Sequence, residues 1–126
     1  MLNLKIEETT DTPLINFDLS SGIFKITGKS IPINSVEFYG PILIWIDDYL
    51  TSPSDKTQVL IDLEYFNTGS SKCLFEILKK LKDIQANGNL LDITWFYSKE
   101  DEGIHEAGED FQSLIELPMR ILKKEF

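Results

Sequence analysis

Residues 58–84 read QVLIDLEYFNTGSSKCLFEILKKLKDI, and this stretch decides the fold. The first part, residues 58–66, is short, rich in β-branched residues and apolar on both sides of Asp62, which is typical of a central parallel strand. Residues 67–72 predict a turn, because Asn, Gly and Ser are turn formers. Apolar residues then recur at helical spacing through residue 84. A strand, a tight turn and a helix in this order indicate an α/β fold with a parallel sheet.

The N-terminal part of the chain predicts antiparallel strands. Apolar and polar residues alternate over residues 2–6, 14–18 and 23–27, which is the pattern of half-buried strands. The last two of these segments flank the turn residues Ser20-Ser21-Gly22 and therefore predict a β-hairpin.

A helix is predicted between the hairpin and the central strand. Asn34 is a plausible N-cap, and Glu37 would complete a capping box. Apolar residues then follow at helical spacing as far as Tyr49. Pro41 falls inside this pattern, so we expect a kink there or a restart of the helix with Pro41 at its first position.

Beyond residue 84 the alternation of strands and helices continues. Residues 92–97 predict a strand, residues 104–115 a third helix, and residues 117–122 a short strand that Pro118 places at a sheet edge. The order predicts a single α/β domain over residues 1–126. Its sheet is expected to be mixed and mainly parallel, with an N-terminal β-hairpin and about three helices.

The composition narrows the class of function. A chain of 126 residues with 42% hydrophobic and 26% charged residues is typical of one globular domain. The net charge of −9 argues against partners that are nucleic acids or anionic membranes. We find no signal peptide and no apolar run of about 20 residues, so we expect a cytoplasmic protein without direct membrane insertion.

The sequence offers little support for catalysis. His105 is the only histidine, and Cys73 is the only cysteine. Cys73 is best interpreted as a small packing residue, although a place in a first helical turn would lower the pKa of its thiol. Because zinc-ligand spacing and a phosphate-binding glycine loop are both missing, we predict neither a catalytic residue, nor a metal, nor a cofactor.

Asp62 is similar in position to the phosphoacceptor of a response-regulator receiver. A receiver also requires an acidic pair after its first strand and a lysine after its last. Asp47 and Asp48 lie within a predicted helix instead, so the receiver interpretation is disfavoured.

An acidic stretch precedes and enters the third helix. Glu102, Glu106 and Glu109 would share one helix face, where like charges repel unless they are solvated or neutralised. A solvated face is the first interpretation, a docking surface for a basic partner the second and a divalent-metal site a distant third.

The strongest local signal is the junction between the central strand and its helix. Backbone N–H groups and the helix dipole favour an anion at such a point, and open α/β sheets present ligands there. The alternative is that these polar residues only compete to cap the helix. The predicted phosphosite loop and partner-binding segment consists of Tyr65, Phe66, Asn67, Thr68, Gly69, Ser70, Ser71 and Lys72.

The chain resembles a known family in this segment and beyond it. Residues 63–74, LEYFNTGSSKCL, look like the signature of the SiaC family of regulatory phosphoproteins, which are STAS-like and similar in fold to anti-sigma factor antagonists. Residues 28–35, residues 38–50 and the segment from Trp95 to Phe111 extend the likeness over nearly the whole chain. The sequence departs from the family pattern at Gly69, where serine is more usual, and at two positions in residues 28–35, Ile31 and Ile33.

The resemblance implies a phosphorylation switch at Thr68. In the family, a Ser/Thr kinase with a histidine-kinase-like ATPase fold phosphorylates the matching threonine, and a PP2C-type phosphatase removes the phosphate. The dephosphorylated protein is then expected to bind and activate an output protein such as a diguanylate cyclase. The function expected is therefore that of a non-enzymatic regulatory phosphoprotein. The alternatives are a constitutive protein-interaction scaffold and a small enzyme that uses Cys73 or the acidic cluster.

Overall fold

The strands lie in the sheet in the same order as they occur along the chain. A computed structural model describes residues 1–125. Its strands are β1 (Leu4–Ile6), β2 (Leu14–Asp18), β3 (Ile23–Ser30), β4 (Lys56–Phe66), β5 (Leu90–Tyr97) and β6 (Arg120–Lys123). Its helices are α1 (Ser35–Tyr49), α2 (Thr68–Ala86) and α3 (Glu102–Ile115).

The sheet is mixed and mostly parallel. Strands β1, β2 and β3 pair antiparallel, whereas β3, β4, β5 and β6 pair parallel. Strands β4, β5 and β6 are each reached through a helix, because a parallel connection needs a crossover. These observations confirm the predicted class, the N-terminal hairpin and the last strand at a sheet edge.

All the helices cover the same face of the sheet. The buried strand residues are neighbours in register, as in the pairs Phe24–Val59 and Ile61–Trp95, and therefore point to one side. Rings from α1 and α3 pack on that side. The central strand is buried on this face, and its residues on the other face, Gln58, Leu60 and Asp62, are half-buried. Crossovers of one hand that always step to the next strand return over the same face, so the other face stays uncovered.

The uncovered face explains the isolated acid of the central strand. Asp62 lies there, half-buried, and its carboxylate accepts a 2.8 Å hydrogen bond from the ammonium group of Lys124. Its role in the structure is therefore an ion pair that joins the central strand to the chain after β6.

Helix α1 begins as predicted but runs through its proline. The Asn34 side chain accepts a 3.0 Å hydrogen bond from the backbone N–H of Glu37. The helix continues as one element past Pro41, so of the two predicted alternatives, a kink or a restart, the restart was wrong. Pro41 is exposed, and water can hydrogen-bond the carbonyl group that loses its partner within the helix.

Aromatic side chains fill the core between the sheet and the helices. Phe24 stacks on Phe17 with ring centroids 4.8 Å apart and contacts Tyr49 edge-on at 4.9 Å. At the other end of the sheet, Trp95 is fully buried and contacts Phe111 of α3 at 5.6 Å. These contacts fix α1 and α3 against opposite ends of the same sheet face.

Gly108 of α3 is required by the approach of that helix to Trp95. A Cβ atom at residue 108 would lie 2.5 Å from Trp95 Cδ1 and 2.7 Å from its Nε1. We predict that Gly108→Ala lowers the free energy of unfolding by about 1–3 kcal/mol, because the indole cannot move away within a packed core. Urea denaturation measures the difference.

Gly103→Ala in the same helix is the matched control for that prediction. The nearest atom to a Cβ at residue 103 is 3.5 Å away, which is an ordinary contact. Alanine there should leave stability unchanged or raise it by up to about 1 kcal/mol. Equal effects of the two substitutions would contradict the packing argument.

Candidate functional site

The candidate site lies where β4 ends and α2 begins. Asn67 alone separates the two elements, and its extended backbone (φ −85°, ψ 175°) makes the turn. The predicted turn over residues 67–72 was therefore too long, since residues 68–72 already belong to the helix. The predicted turn was too long because Asn67 caps α2, and a helix can begin directly after its N-cap residue.

Asn67 holds this junction with both its side chain and its backbone. Its side-chain oxygen accepts a 2.9 Å hydrogen bond from the Ser70 backbone N–H, which caps α2. Its side-chain nitrogen donates to the carbonyl oxygen of Pro32 at 3.3 Å, and its backbone N–H donates to the carbonyl oxygen of Ser30 at 3.0 Å. The start of α2 is thereby attached to the end of β3 and to the loop before α1.

A buried hydroxyl network lies directly beneath the junction. Ser30 Oγ is 2.6 Å from the Tyr39 hydroxyl and 2.7 Å from Ser70 Oγ, and all three residues are fully buried. The Ser70 hydroxyl also donates to the Ser30 carbonyl oxygen at 2.9 Å. Burial raises the pKa of the Tyr39 hydroxyl to about 12, despite the opposing hydrogen bonds from Ser30 and Ser70. The Tyr39 hydroxyl therefore stays protonated at neutral pH.

The hydroxyl residues of the segment have different environments. Thr68 is exposed at the first helical position, Ser70 is buried, and Ser71 is half-buried. The capping bond belongs to Asn67, so the Thr68 hydroxyl is not needed to start the helix. Thr68 is therefore the most accessible of the three aliphatic hydroxyl groups of this segment.

The remaining predicted loop residues divide between surface and core. Tyr65 is exposed, and Lys72 is exposed one helical turn after Thr68 on the same side of α2. The ring of Phe66 instead packs edge-on against Trp95 with centroids 6.0 Å apart. Its side chain therefore supports the site from inside the core.

Gly69 allows the N-terminal ends of α1 and α2 to meet. A Cβ atom at residue 69 would lie 2.5 Å from Ser35 Oγ and 3.1 Å from Ser35 Cβ. A shallow depression lies between the two helix ends and is lined by Ile33, Val36 and Lys72 among others. The phosphosite segment and the start of α1 thus form one continuous surface.

Cys73 is a packing residue in this arrangement. It is buried, and its thiol lies 3.8 Å from the Ser35 carbonyl oxygen. It is the sixth residue of α2, beyond the first turn where the dipole would assist a thiolate. Burial, followed by the charge of Glu76, raises the pKa of the thiol, which disfavours the nucleophilic form.

The acidic residues of α3 lie on a different helix from the β4–α2 junction and are at the surface. Glu102, Glu106 and Glu109 are exposed, and Glu109 lies 3.4 Å from His105 Nε2. The imidazole of His105 stacks on the Tyr97 ring at 4.1 Å. Within residues 1–125, no cluster of three or more potential metal ligands is present, and no helix has the length and apolarity needed to cross a membrane.

The chain is similar to known proteins both in sequence and in structure. Residues 6–124 match the sequence profile of the family described as SiaC family regulatory phosphoprotein. The chain belongs to the SiaC family. A curated relative, an uncharacterized protein of Pseudomonas aeruginosa (strain UCBPP-PA14), is 30% identical over 121 residues, which are 96% of each chain.

Solved structures of the SiaC family share the fold. SiaC of Pseudomonas aeruginosa superposes with a TM-score of 0.88 at 28% identity, over 98% of this chain and 100% of that one. A chain in the crystal structure of the diguanylate cyclase SiaD in complex with its activator SiaC, from the same organism, gives a TM-score of 0.87 at 29% identity. The match covers 96% of this chain and 99% of that one. The predicted family membership is confirmed.

The hydroxyl network is the part of this SiaC-family site that the sequence analysis missed. Ser30 follows Phe24, Ile26 and Gly28 at alternate positions of β3, and this period of two places it on the covered face. The alternation was therefore a usable signal for an inward-pointing serine. Its partner Ser70 could not be found in this way, because the contact spans 40 residues of sequence.

We predict that Asn67→Ala destabilises the protein much more than Thr68→Ala does. Loss of the cap costs about 0.5–2 kcal/mol, and the bond to Pro32 is lost as well. Thr68→Ala should cost less than about 0.5 kcal/mol, because it removes an exposed side chain that does not supply the cap. Urea denaturation of both variants makes the comparison, and a larger loss in Thr68→Ala would contradict the assigned roles.

Proposed function

We propose that this chain is a non-enzymatic regulatory phosphoprotein controlled by reversible phosphorylation of Thr68. A Ser/Thr kinase with a histidine-kinase-like ATPase fold adds the phosphate, and a PP2C-type phosphatase removes it. The dephosphorylated form binds and activates an output protein, for which a diguanylate cyclase is the first candidate. The crystal structure of SiaC in complex with the cyclase SiaD supports that choice, because the SiaC chain there shares the fold of this one.

The observation that carries the proposal is the separation of the hydroxyl groups at the start of α2. Ser70 is fully buried and hydrogen-bonded to Ser30, so its phosphorylation would require the network to open. Thr68 is exposed and does not cap the helix, so a kinase can modify it without disturbing the fold. The start of α2 thus contains a readily modified acceptor, Thr68, and a buried structural hydroxyl, that of Ser70, two residues later.

The electrostatics of the position suit a reversible phosphate. The first turn of α2 contains no acidic residue, and its free backbone N–H groups favour an anion. Lys72 lies four residues further along and supplies a positive charge. A phosphate adds about −1.5 to −2 charges to a chain whose net charge is already −9, so these local groups offset part of the repulsion.

The change caused by phosphorylation falls on the surface that a partner contacts. An output protein that covers Thr68 with apolar or acidic groups would have to desolvate a dianion, which is costly without a counter-charge. A PP2C-type phosphatase is expected to meet the same group with metal ions, which favour it. Phosphorylation of Thr68 thereby disfavours binding of the output protein and favours binding of the phosphatase.

We predict that Thr68→Ala folds normally and accepts no phosphate from the kinase. Purified kinase and ATP should label the wild-type chain stoichiometrically, and intact-mass spectrometry should show no added phosphate on the variant. Ser71→Ala is the matched control and should be labelled like the wild type. Stoichiometric labelling of Thr68→Ala on Ser70 or Ser71 would overturn the assignment, and an unlabelled wild type would favour a constitutive scaffold.

We further predict that phosphorylation of Thr68 weakens binding of the output protein at least tenfold, which is about 1.4 kcal/mol. Thr68→Asp should reproduce the effect only in part, because a carboxylate has less charge and fewer acceptor oxygens. Calorimetric titration of both forms, with thermal melts by circular dichroism, tests this. Equal affinities, or a melt showing that the phosphorylated chain is largely unfolded, would contradict the mechanism.

A further inference from the structure

Strand β1 forms one edge of the six-stranded sheet. Within residues 1–125, β1 is hydrogen-bonded to β2 alone, with Ile6 opposite Ile15. The backbone N–H and C=O groups on the free side of an edge strand can pair with a strand of another chain. The edge is therefore able to accept a further strand.

The two sides of β1 differ in chemistry. Ile6 lies opposite the buried Ile15, so its side chain points to the face that the helices cover. Lys5 lies opposite Asn16 and points to the uncovered face, and so does Glu7 two residues later. The Lys5 ammonium group lies 3.6 Å from the Glu7 carboxylate, and the two side chains are 60% and 81% exposed. The edge thus carries one charge of each sign on the uncovered face and an apolar residue on the other.

This pattern is complementary to itself in one antiparallel register. When Ile6 of one copy lies opposite Ile6 of a second copy, Lys5 of each copy lies opposite Glu7 of the other. A shift that places Lys5 opposite Lys5 brings like charges together, which destabilises a strand pair, whereas opposite charges stabilise it. A register shifted by one residue turns one copy over and places Lys5 opposite Ile6. Charge therefore selects one register, and that register has two-fold symmetry.

Apolar side chains adjoin the free edge on the covered face. Ile6 and the half-buried ring of Phe38 line the same depression. The indole N–H of Trp45 donates to the carbonyl oxygen of Leu2 at 2.9 Å, so the residues before β1 are attached to α1. Leu2 itself is 84% exposed. A strand added to β1 would therefore cover apolar surface as well as pair its backbone.

The opposite edge of the sheet lacks this complementarity. Strand β6 contains Arg120 and Lys123 and no acidic residue, so two copies of it would bring cations together. Charged residues on an edge strand ordinarily prevent such pairing. Strand β1 differs, because Lys5 and Glu7 have opposite signs and are two residues apart.

We propose that β1 is the interface through which two copies of this chain form a symmetric dimer. The two β1 strands pair antiparallel about Ile6 and join the two six-stranded sheets into one. The facing charges set the register, while backbone hydrogen bonds and the apolar contacts at Ile6 supply affinity. The interface is short and each copy carries a net charge of −9, so the dimer dissociates on dilution. The dimer does not depend on the proposed phosphorylation of Thr68.

Sedimentation equilibrium of charge-reversal variants tests this interface. The wild-type chain should dimerise with a dissociation constant below about 100 µM at physiological ionic strength. Lys5→Glu and Glu7→Lys should each raise that constant at least about tenfold, because each makes the facing charges alike. The double variant that combines both substitutions should dimerise like the wild type, because it only exchanges the two signs.

A mixture of the two single variants gives the sharpest result. Lys5→Glu has acids at both positions and Glu7→Lys has lysines at both, so each variant repels itself and is complementary to the other. An equimolar mixture should therefore form heterodimers with an affinity close to that of the wild type. Mixing would not restore a variant that had lost its fold, so this result separates an interface effect from a folding effect.

Lys56→Glu is the matched control for the charge change. Lys56 is exposed at the first position of β4, three strands away from the edge. The substitution changes the net charge by the same amount as Lys5→Glu does. The dissociation constant of its dimer should stay within about twofold of the wild-type value, because distant sites act independently.

Each other outcome overturns the proposal. A wild-type chain that stays monomeric up to about 100 µM would show that the edge is not an interface. Single variants that fail to pair with each other would exclude the charge-selected register. A loss of dimer in Lys56→Glu would assign the effect to net charge, and species that grow beyond the dimer with concentration would indicate head-to-tail pairing of β1 with β6.

Discussion

The buried hydroxyl of Ser30 joins three elements of the structure at one point. Its side chain contacts Tyr39 of α1 and Ser70 of α2, and its carbonyl oxygen accepts from the Ser70 hydroxyl and the Asn67 backbone. Buried polar groups are costly unless they are satisfied, so this set of bonds fixes how the two helices begin relative to β3. Ser70 is buried and hydrogen-bonded to Ser30, and Asn67 caps α2. Thr68 lies at the surface and does not supply the cap of the helix.

The same contact links the ends of α1 and α2 and so determines the shape of the surface. Gly69 allows Ser35 to approach α2 closely, and a Cβ atom at residue 69 would require the Ser35 side chain to move. The helices lie on a single face of the sheet, and the starts of α1 and α2 adjoin at one surface. If Thr68 is phosphorylated as proposed, the added charge falls on this surface and not in the core.

The distribution of charge is relevant to the proposed phosphorylation of Thr68. The chain carries a net charge of −9, yet the first turn of α2 is free of acids and Lys72 follows in the next turn. Exposed acids lie on α3, as Glu102 and Glu106, at the far end of α1, and also on β4 and further along α2, as Glu64 and Glu76. In the proposed function, a phosphate on Thr68 meets the free backbone N–H groups at the N-terminus of α2.

The sequence by itself determined the element types, because periods of two and of 3.6 residues report which side of each segment is apolar. It also identified the family and, through the signature around Thr68, the proposed acceptor. Tertiary structure alone decided that the helices share one face of the sheet and that Ser70 is buried against Ser30. These features depend on contacts between residues far apart in sequence, and no local pattern of the chain records such contacts. The close approach at Gly69 and the unoccupied space at Gly40 are of the same kind, because a glycine in the sequence does not show what lies next to its missing side chain.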